Sequence, residues 1–252
     1  MAKLVILGSS YAVPDETHEN THMAIVGQER TVLVDCVGNP IARLKEAGID
    51  HNAVTDIIMT HFHPDHISGV PLLLMSMWLL ERKHDLSLYG LEFTTERMQK
   101  LMDFYDWKSW PNFFPTEFHT IKDIDLYPVL ETDEFKIYTS PVQHWVPTVG
   151  LRIEFVKSGK IVAYSSDTAP TETVYGLAKD ADILIHEAAG ASEGHSSAEQ
   201  AGMIAAETNA KELYLIHYPT GGFDYHGLIA EAAKTFKGPV KIAEDLDQFE
   251  FD

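Results

Sequence analysis

His61-Phe62-His63-Pro64-Asp65-His66 packs four potential metal ligands into six residues. It follows Ile57–Met59, a brief apolar run that reads as a buried strand, so the ligands open at a strand end. His61 and His63 can hold one cation as neutral imidazoles, while Asp65 and His66 project from the turn toward a second. Pro64 stiffens that turn, and Gly69 just beyond it permits close backbone approach. A mere surface cluster of histidines would not need an apolar strand in front of it.

The same placement recurs along the chain. Asp167 follows the apolar run Ile161–Tyr164, His186 follows Ile183–Ile185, and His217 follows Leu213–Ile216. Strand ends of a packed sheet converge on one edge, where loops commonly build sites. Further strands are expected at Leu4–Leu7, Met23–Val26, Thr31–Val34, Phe135–Thr139 and Val149–Val156. The turn Lys157-Ser158-Gly159-Lys160 joins the last of these to Ile161–Tyr164 as a hairpin. Helices are expected at Pro40–Ala47, Pro71–Arg82, Thr95–Tyr105, Thr171–Lys179 and Ser197–Thr208. Ser196 with Glu199 three residues on has the capping-box spacing for the last of them. Strands interleaved with helices in two similar halves imply sheets in the middle and helices outside.

The 252 residues suffice for a sizeable core, and no linker, low-complexity tract or repeat divides them, so one domain over 1–252 is expected. Acidic residues outnumber basic ones by 38 to 19, a formal charge of −19 that disfavours a polyanionic partner. The single cysteine, Cys36, excludes an intrachain disulfide and sits in the buried-strand pattern Val32–Cys36, so it reads as a core thiol. The longest apolar stretch, Val70–Leu80, is too short to cross a bilayer, and no membrane association is expected. A cytoplasmic protein fits these features.

His-x-His-x-Asp-His resembles the signature of the metallo-β-lactamase superfamily. The resemblance implies an αββα sandwich, an α+β fold of two mixed β-sheets flanked by helices. It also implies two divalent metal ions per chain. His144 in Pro141-Val142-Gln143-His144, Asp167 in Tyr164–Thr168 and His217 in Leu215–Tyr218 match the later ligands of that superfamily. By this likeness His61, His63 and His144 hold one ion, Asp65, His66 and His217 the other, and Asp167 bridges them. Nitrogen and carboxylate donors without thiolate favour zinc, with manganese or iron as alternatives.

A narrower resemblance is to the ribonuclease Z-like branch. It is carried by Leu7-Gly8-Ser9-Ser10 with Pro14, by Asp167–Glu172, and by His186-Glu187-Ala188-Ala189 followed by His195–Ala201. In such enzymes the matching Glu187 and His195 act near the leaving group and the phosphoryl oxygens. His195 would then stabilise charge or donate a proton, with Glu187 orienting it. Two close cations make hydroxide available near neutral pH, and Asp65 is placed to orient that water or shuttle its proton.

The leading expectation is therefore a dinuclear metal-dependent hydrolase, a phosphodiesterase acting on a small molecule or nucleotide. Transfer-RNA 3′ endonucleases of this branch carry a long arm between the ligands matching His144 and Asp167. Here Val149–Tyr164 leaves room only for a hairpin, so structured RNA is not expected as a substrate. A transfer-RNA 3′ endonuclease is the runner-up, and lactone, ester or β-lactam hydrolysis and a metal-stabilised binding protein are the further alternatives. A diiron redox role is disfavoured because His63 is intact. Relatives imply a homodimer. His18 and His22 belong to a loop that borders the active site in relatives. The aromatic run Phe104–Phe118 reads as core beneath a long loop or as a dimer face, with a substrate-side lid as the weaker alternative.

Overall fold

Apolar residues that alternate or run together along short extended stretches can bury both faces of a strand only if each face of the sheet is covered, by a second sheet or by helices. The computed structural model, which describes residues 2–222 and 224–251, shows that arrangement. The first sheet contains β1 (Ala2–Gly8), β2 (His22–Val26), β3 (Thr31–Val34), β4 (Val54–Ile58), β5 (Leu86–Leu91) and β6 (Thr116–Ile121). The second contains β7 (Tyr127–Glu131), β8 (Phe135–Val142), β9 (Thr148–Phe155), β10 (Ile161–Tyr164), β11 (Ile183–Glu187), β12 (Glu212–Ile216) and β13 (Val240–Ile242). The chain then returns to pair β14 (Gln248–Phe251) with β1, so each sheet has seven strands.

Both sheets are mixed. β1, β2 and β3 run antiparallel, then β3 to β6 run parallel. In the second sheet β7 to β10 form an antiparallel meander and β10 to β13 run parallel. The inner faces meet in a core that includes Ile6, Ile25, Ile58, Phe135, Ile153 and Tyr164. The outer face of the first sheet is covered by α1 (Pro40–Glu46), α3 (Val70–Leu79) and α4 (Glu92–Phe104). That of the second is covered by α5 (Glu172–Ala178), α6 (Ala198–Glu207) and α7 (Tyr225–Ala232). The short α2 (Pro64–Ile67) stands at the edge between the layers. This is the αββα sandwich expected from the sequence. Among the described residues no helix is long and apolar enough to cross a membrane.

Two sequence expectations are refined, and the reading of Cys36 as a core thiol holds. The capping box at α6 is built by Ser197 and Gln200, not Ser196 and Glu199. Both pairs have the right spacing, but the Ser196 hydroxyl is buried and donates to the Thr168 carbonyl at 2.6 Å. The aromatic run divides: Trp107 and Phe114 are buried against the first sheet, whereas Phe104 and Tyr105 are exposed. Cys36 is buried, and its backbone both donates to His66 O and accepts from Gly69 N, anchoring α2. A Cβ at Gly69 would lie 2.8 Å from the Val37 backbone, which explains the glycine there.

Candidate metal centre

The parallel strands all point their C-terminal ends to one edge of the sandwich, and that edge carries the chemistry. His61 lies three residues beyond β4, Asp167 three beyond β10, and His217 immediately after β12. Backbone hydrogen bonds stitch the two sheets together here: Val149 N donates to Thr60 O at 3.1 Å, and His217 N to Ser9 O at 2.8 Å. The strand exits turn sharply. Asp35, Ser166 and His217 adopt left-handed φ angles of 63°, 53° and 52°. For non-glycine residues such geometry costs on the order of 1 kcal/mol each, and it persists where surrounding structure holds it.

Seven ligand-type side chains meet at this edge in two groups, His61, His63 and His144, and Asp65, His66, Asp167 and His217. Nε2 of His61 and Nε2 of His144 lie 3.1 and 3.2 Å from Nδ1 of His63. The Asp167 carboxylate lies between the groups. Its Oδ2 is 3.2 Å from His217 Nε2, 3.5 Å from His66 Nε2, 3.9 Å from His144 Nε2 and 4.0 Å from His61 Nε2. The Asp65 carboxylate is 3.6 Å from His66 Nε2.

Burial pushes the His61 imidazole well below its ordinary pKa, and burial lowers His63 and His144 too, which keeps them in the neutral form that binds metal. Burial opposes charge on His66 as well, but the carboxylates of Asp167 and Asp35 on either side outweigh it and draw positive charge to that ring. Asp167 is held ionised against its burial by His217 and His66.

Three imidazole lone pairs converging at such distances repel one another unless a cation lies between them. His66 Nε2 and Asp167 Oδ1 are buried with no hydrogen-bond partner. The donor set of nitrogen and carboxylate oxygen therefore fits divalent metal ions.

The far sides of the His144, His66 and His61 rings are also specified. Nδ1 of His144 donates to Gly194 O at 2.7 Å, and Nδ1 of His66 donates to Asp35 Oδ2 at 2.8 Å. Thr60 Oγ1 donates to the same Asp35 oxygen at 2.7 Å, so its hydroxyl can accept from Nδ1 of His61 at 3.0 Å. These contacts direct each Nε2 lone pair inward. Asp35 was not among the residues singled out from the sequence. It stands at the end of the apolar run Val32–Val34, the same pattern that exposed Asp167 and His217, and it orients rings in both groups.

Glu187 and His195 also come together. Nδ1 of His195 donates to Glu187 Oε1 at 2.9 Å. The same oxygen accepts from Thr168 N at 3.0 Å, and Oε2 accepts from Ala189 N at 2.9 Å. Burial works against charge on His195, yet the Glu187 carboxylate, with Asp167 and Asp65 beyond it, raises its pKa. His195 lies with His144 and Asp167 in a third close group and helps line a cleft of about 300 Å³ above them. Tyr11 and Ala12 of the β1–β2 loop border that cleft, but His18 and His22 do not. His22 is buried with Nδ1 donating to Asn20 O, and His18 is bound to Asp15. His186 belongs to none of these groups, and its Nδ1 donates to Glu187 O at 2.8 Å.

A larger cavity of about 580 Å³ lies at the opposite edge, around the starts of β3, β4 and β5. Its Arg82 guanidinium is committed to the carbonyls of Asn52, Val54, His84 and Asp85, and Arg30 to buried Asp56.

A family model described as "Anti-Pycsar protein Apyc1" matches residues 2–236. Ribonuclease Z of Methanothermobacter thermautotrophicus is 27% identical over 301 aligned positions, which take in 98% of this chain and 95% of that protein. Among solved structures, the metallo-β-lactamase fold protein YhfI from Bacillus subtilis superposes with a TM-score of 0.83 at 25% identity over 98% of both chains. A diphosphatase from the PhnP family superposes with a TM-score of 0.75 at 21% identity, over 100% of this chain and 98% of that one.

Proposed function

The chain belongs to the Anti-Pycsar protein Apyc1 family and to the ribonuclease Z-like branch of metal-dependent hydrolases with the metallo-β-lactamase fold, and from that premise we propose that it is a dinuclear phosphodiesterase acting on a small molecule or nucleotide. The observation that carries this reading is the Glu187–His195 pair beside the metal-binding groups, within reach of a leaving group in the same cleft.

His61, His63 and His144 would hold one ion, Asp65, His66 and His217 the other, with Asp167 serving both; zinc is the preferred metal for this nitrogen-rich set. When bound, two divalent cations make a water acidic and neutralise charge on a phosphate oxygen. The protein's own groups do the remainder. Asp65, half-buried at the cleft wall, orients the attacking water and takes its proton. His195, held by Glu187 and favouring its protonated form, donates to the departing oxygen or stabilises charge on the phosphoryl group. Glu187 is buried and spends its remaining bonding capacity on backbone N–H groups, so it fixes the ring without reaching the substrate itself.

Processing of precursor transfer RNA is disfavoured on this reading. Between His144 and Asp167 the chain forms only β9, a five-residue turn over 156–160, and β10. The alignment with the ribonuclease Z from M. thermautotrophicus needs 301 positions for a chain of 252, so that relative carries insertions that this chain lacks. The formal charge of −19 opposes a polyanion as well.

The test is a comparison of zinc-loaded protein on bis(p-nitrophenyl) phosphate, a lactone and a cephalosporin. The diester is expected to turn over fastest. A lactone or cephalosporin hydrolysed more efficiently than the diester would defeat the assignment.

A further inference from the structure

Trp145 is 62% exposed although it directly follows His144, whose side chain is 1% exposed. Its indole stacks on the His144 imidazole, with centroids 5.4 Å apart and planes 18° from parallel. It also meets the rings of His195 at 5.4 Å and His63 at 6.2 Å nearly edge to face. The indole is therefore fixed by three rings of the candidate site while most of its own surface stays in water. Its backing is close-fitting. Gly194 adopts a φ of 77°, and a Cβ there would lie 3.1 Å from the indole Cδ1 and 2.9 Å from His144 Nδ1. A side chain at 194 would displace the ring. Together with Tyr11, Ala12, Pro64 and Ala189, the indole forms an apolar rim around the polar floor of the cleft.

A lone exposed aromatic on a protein surface needs no explanation. This one is held at the mouth of the cleft against the rings of His144, His195 and His63. A large, rigid π-surface held in that position costs a planar ligand little ordering entropy to stack upon.

We infer that Trp145 is a specificity-determining residue, a stacking surface that selects phosphodiesters whose retained ester group is a planar aromatic over those in which it is aliphatic. The inference rests on the phosphodiesterase reading above. Stacking of a base or aryl ring on such a surface corresponds to about a tenfold or larger gain per ring.

The experiment compares two esters that share one leaving group, bis(p-nitrophenyl) phosphate and methyl p-nitrophenyl phosphate, on zinc-loaded wild type, Trp145→Ala and Trp145→Phe. Wild type is expected to prefer the aryl ester. Trp145→Ala should lower the aryl-to-methyl ratio of kcat/KM by about tenfold, mainly through KM, and Trp145→Phe should restore most of it. Phenyl phosphate should quench the tryptophan fluorescence of wild type but not that of Trp145→Phe. If Trp145→Ala slows both esters equally, and quenching is the same in wild type and Trp145→Phe, the indole only supports His144 and the inference fails while the phosphodiesterase reading stands. If wild type hydrolyses neither ester, both fall.

Discussion

Asp35 is a single buried carboxylate that orients rings in both ligand groups, and replacing it isosterically isolates what its charge does. In Asp35→Asn the side-chain oxygen can still accept one hydrogen bond. The carboxylate, however, now accepts from His66 Nδ1 and Thr60 Oγ1 through one oxygen and from Thr60 N through the other. An amide has one oxygen and presents N–H where the second stood, so at least one of these bonds becomes a donor facing a donor. Even with the amide oxygen kept where His66 Nδ1 and the Thr60 hydroxyl both donate, a neutral acceptor holds the two more weakly than a carboxylate, and the hydroxyl that accepts from His61 Nδ1 loosens with it. Loss of such an outer contact to a ligating histidine weakens metal binding by roughly 10- to 100-fold, about 1.4–2.7 kcal/mol. Because the effect reaches both His66 and His61, affinity should fall for both ions. Competitive titration of zinc against a chromophoric chelator measures this, and circular dichroism checks that the fold persists. Two zinc sites of wild-type affinity in a folded Asp35→Asn protein would refute the reasoning.

His195→Ala should lower kcat on a phosphodiester by about 10²–10⁴ while the zinc content stays at the wild-type value, and Glu187→Gln should lower it less; a parallel loss of metal would show that the pair is structural. Burial pushes His22 and His186 each down to about 4, below the value near 6.5 of an unfolded chain. Between these values the unfolded state binds more protons, so stability is full above about pH 6.5 and falls as the pH drops toward 4, by up to ~3 kcal/mol per residue. Urea unfolding at pH 7 and pH 4.5 should show this drop, and His186→Asn should flatten it; an unchanged slope would be inconsistent with a buried neutral imidazole. Phe135→Ala opens the core between the sheets and should cost about 3–5 kcal/mol in the same assay. Zinc-loaded protein should leave precursor transfer RNA uncut at enzyme concentrations that consume a small diester completely.

Much of this architecture could be read from periodicity. β3, β10 and β12 are short apolar runs ending in a ligand or in a turn toward one, and the residues after β10 and β12 were identified on that ground. Asp35 obeys the same rule, but its run was read for Cys36, whose thiol is simply packed. The strands β5, β6 and β7 were harder to see. β5, Leu86-Ser87-Leu88-Tyr89-Gly90-Leu91, contains a glycine, and β6, Thr116–Ile121, is largely polar; tertiary pairing rather than local preference makes them strands. The ambiguity between Ser196 and Ser197 arose because two registers of one motif overlap, and only the burial of Ser196 separates them. Trp145 carried no signal in the sequence beyond its place after His144. Its role depends on contacts with His63 and His195, which lie 82 and 50 residues away along the chain.

The account stands or falls on one dinuclear site built by seven side chains, with Asp167 common to both ions. Native mass spectrometry of wild-type and Asp167→Ala protein, each equilibrated with zinc, addresses that directly. The account predicts two ions per wild-type chain and fewer than two in the variant. A wild-type chain that retains at most one ion, or an Asp167→Ala chain that retains both, would contradict it.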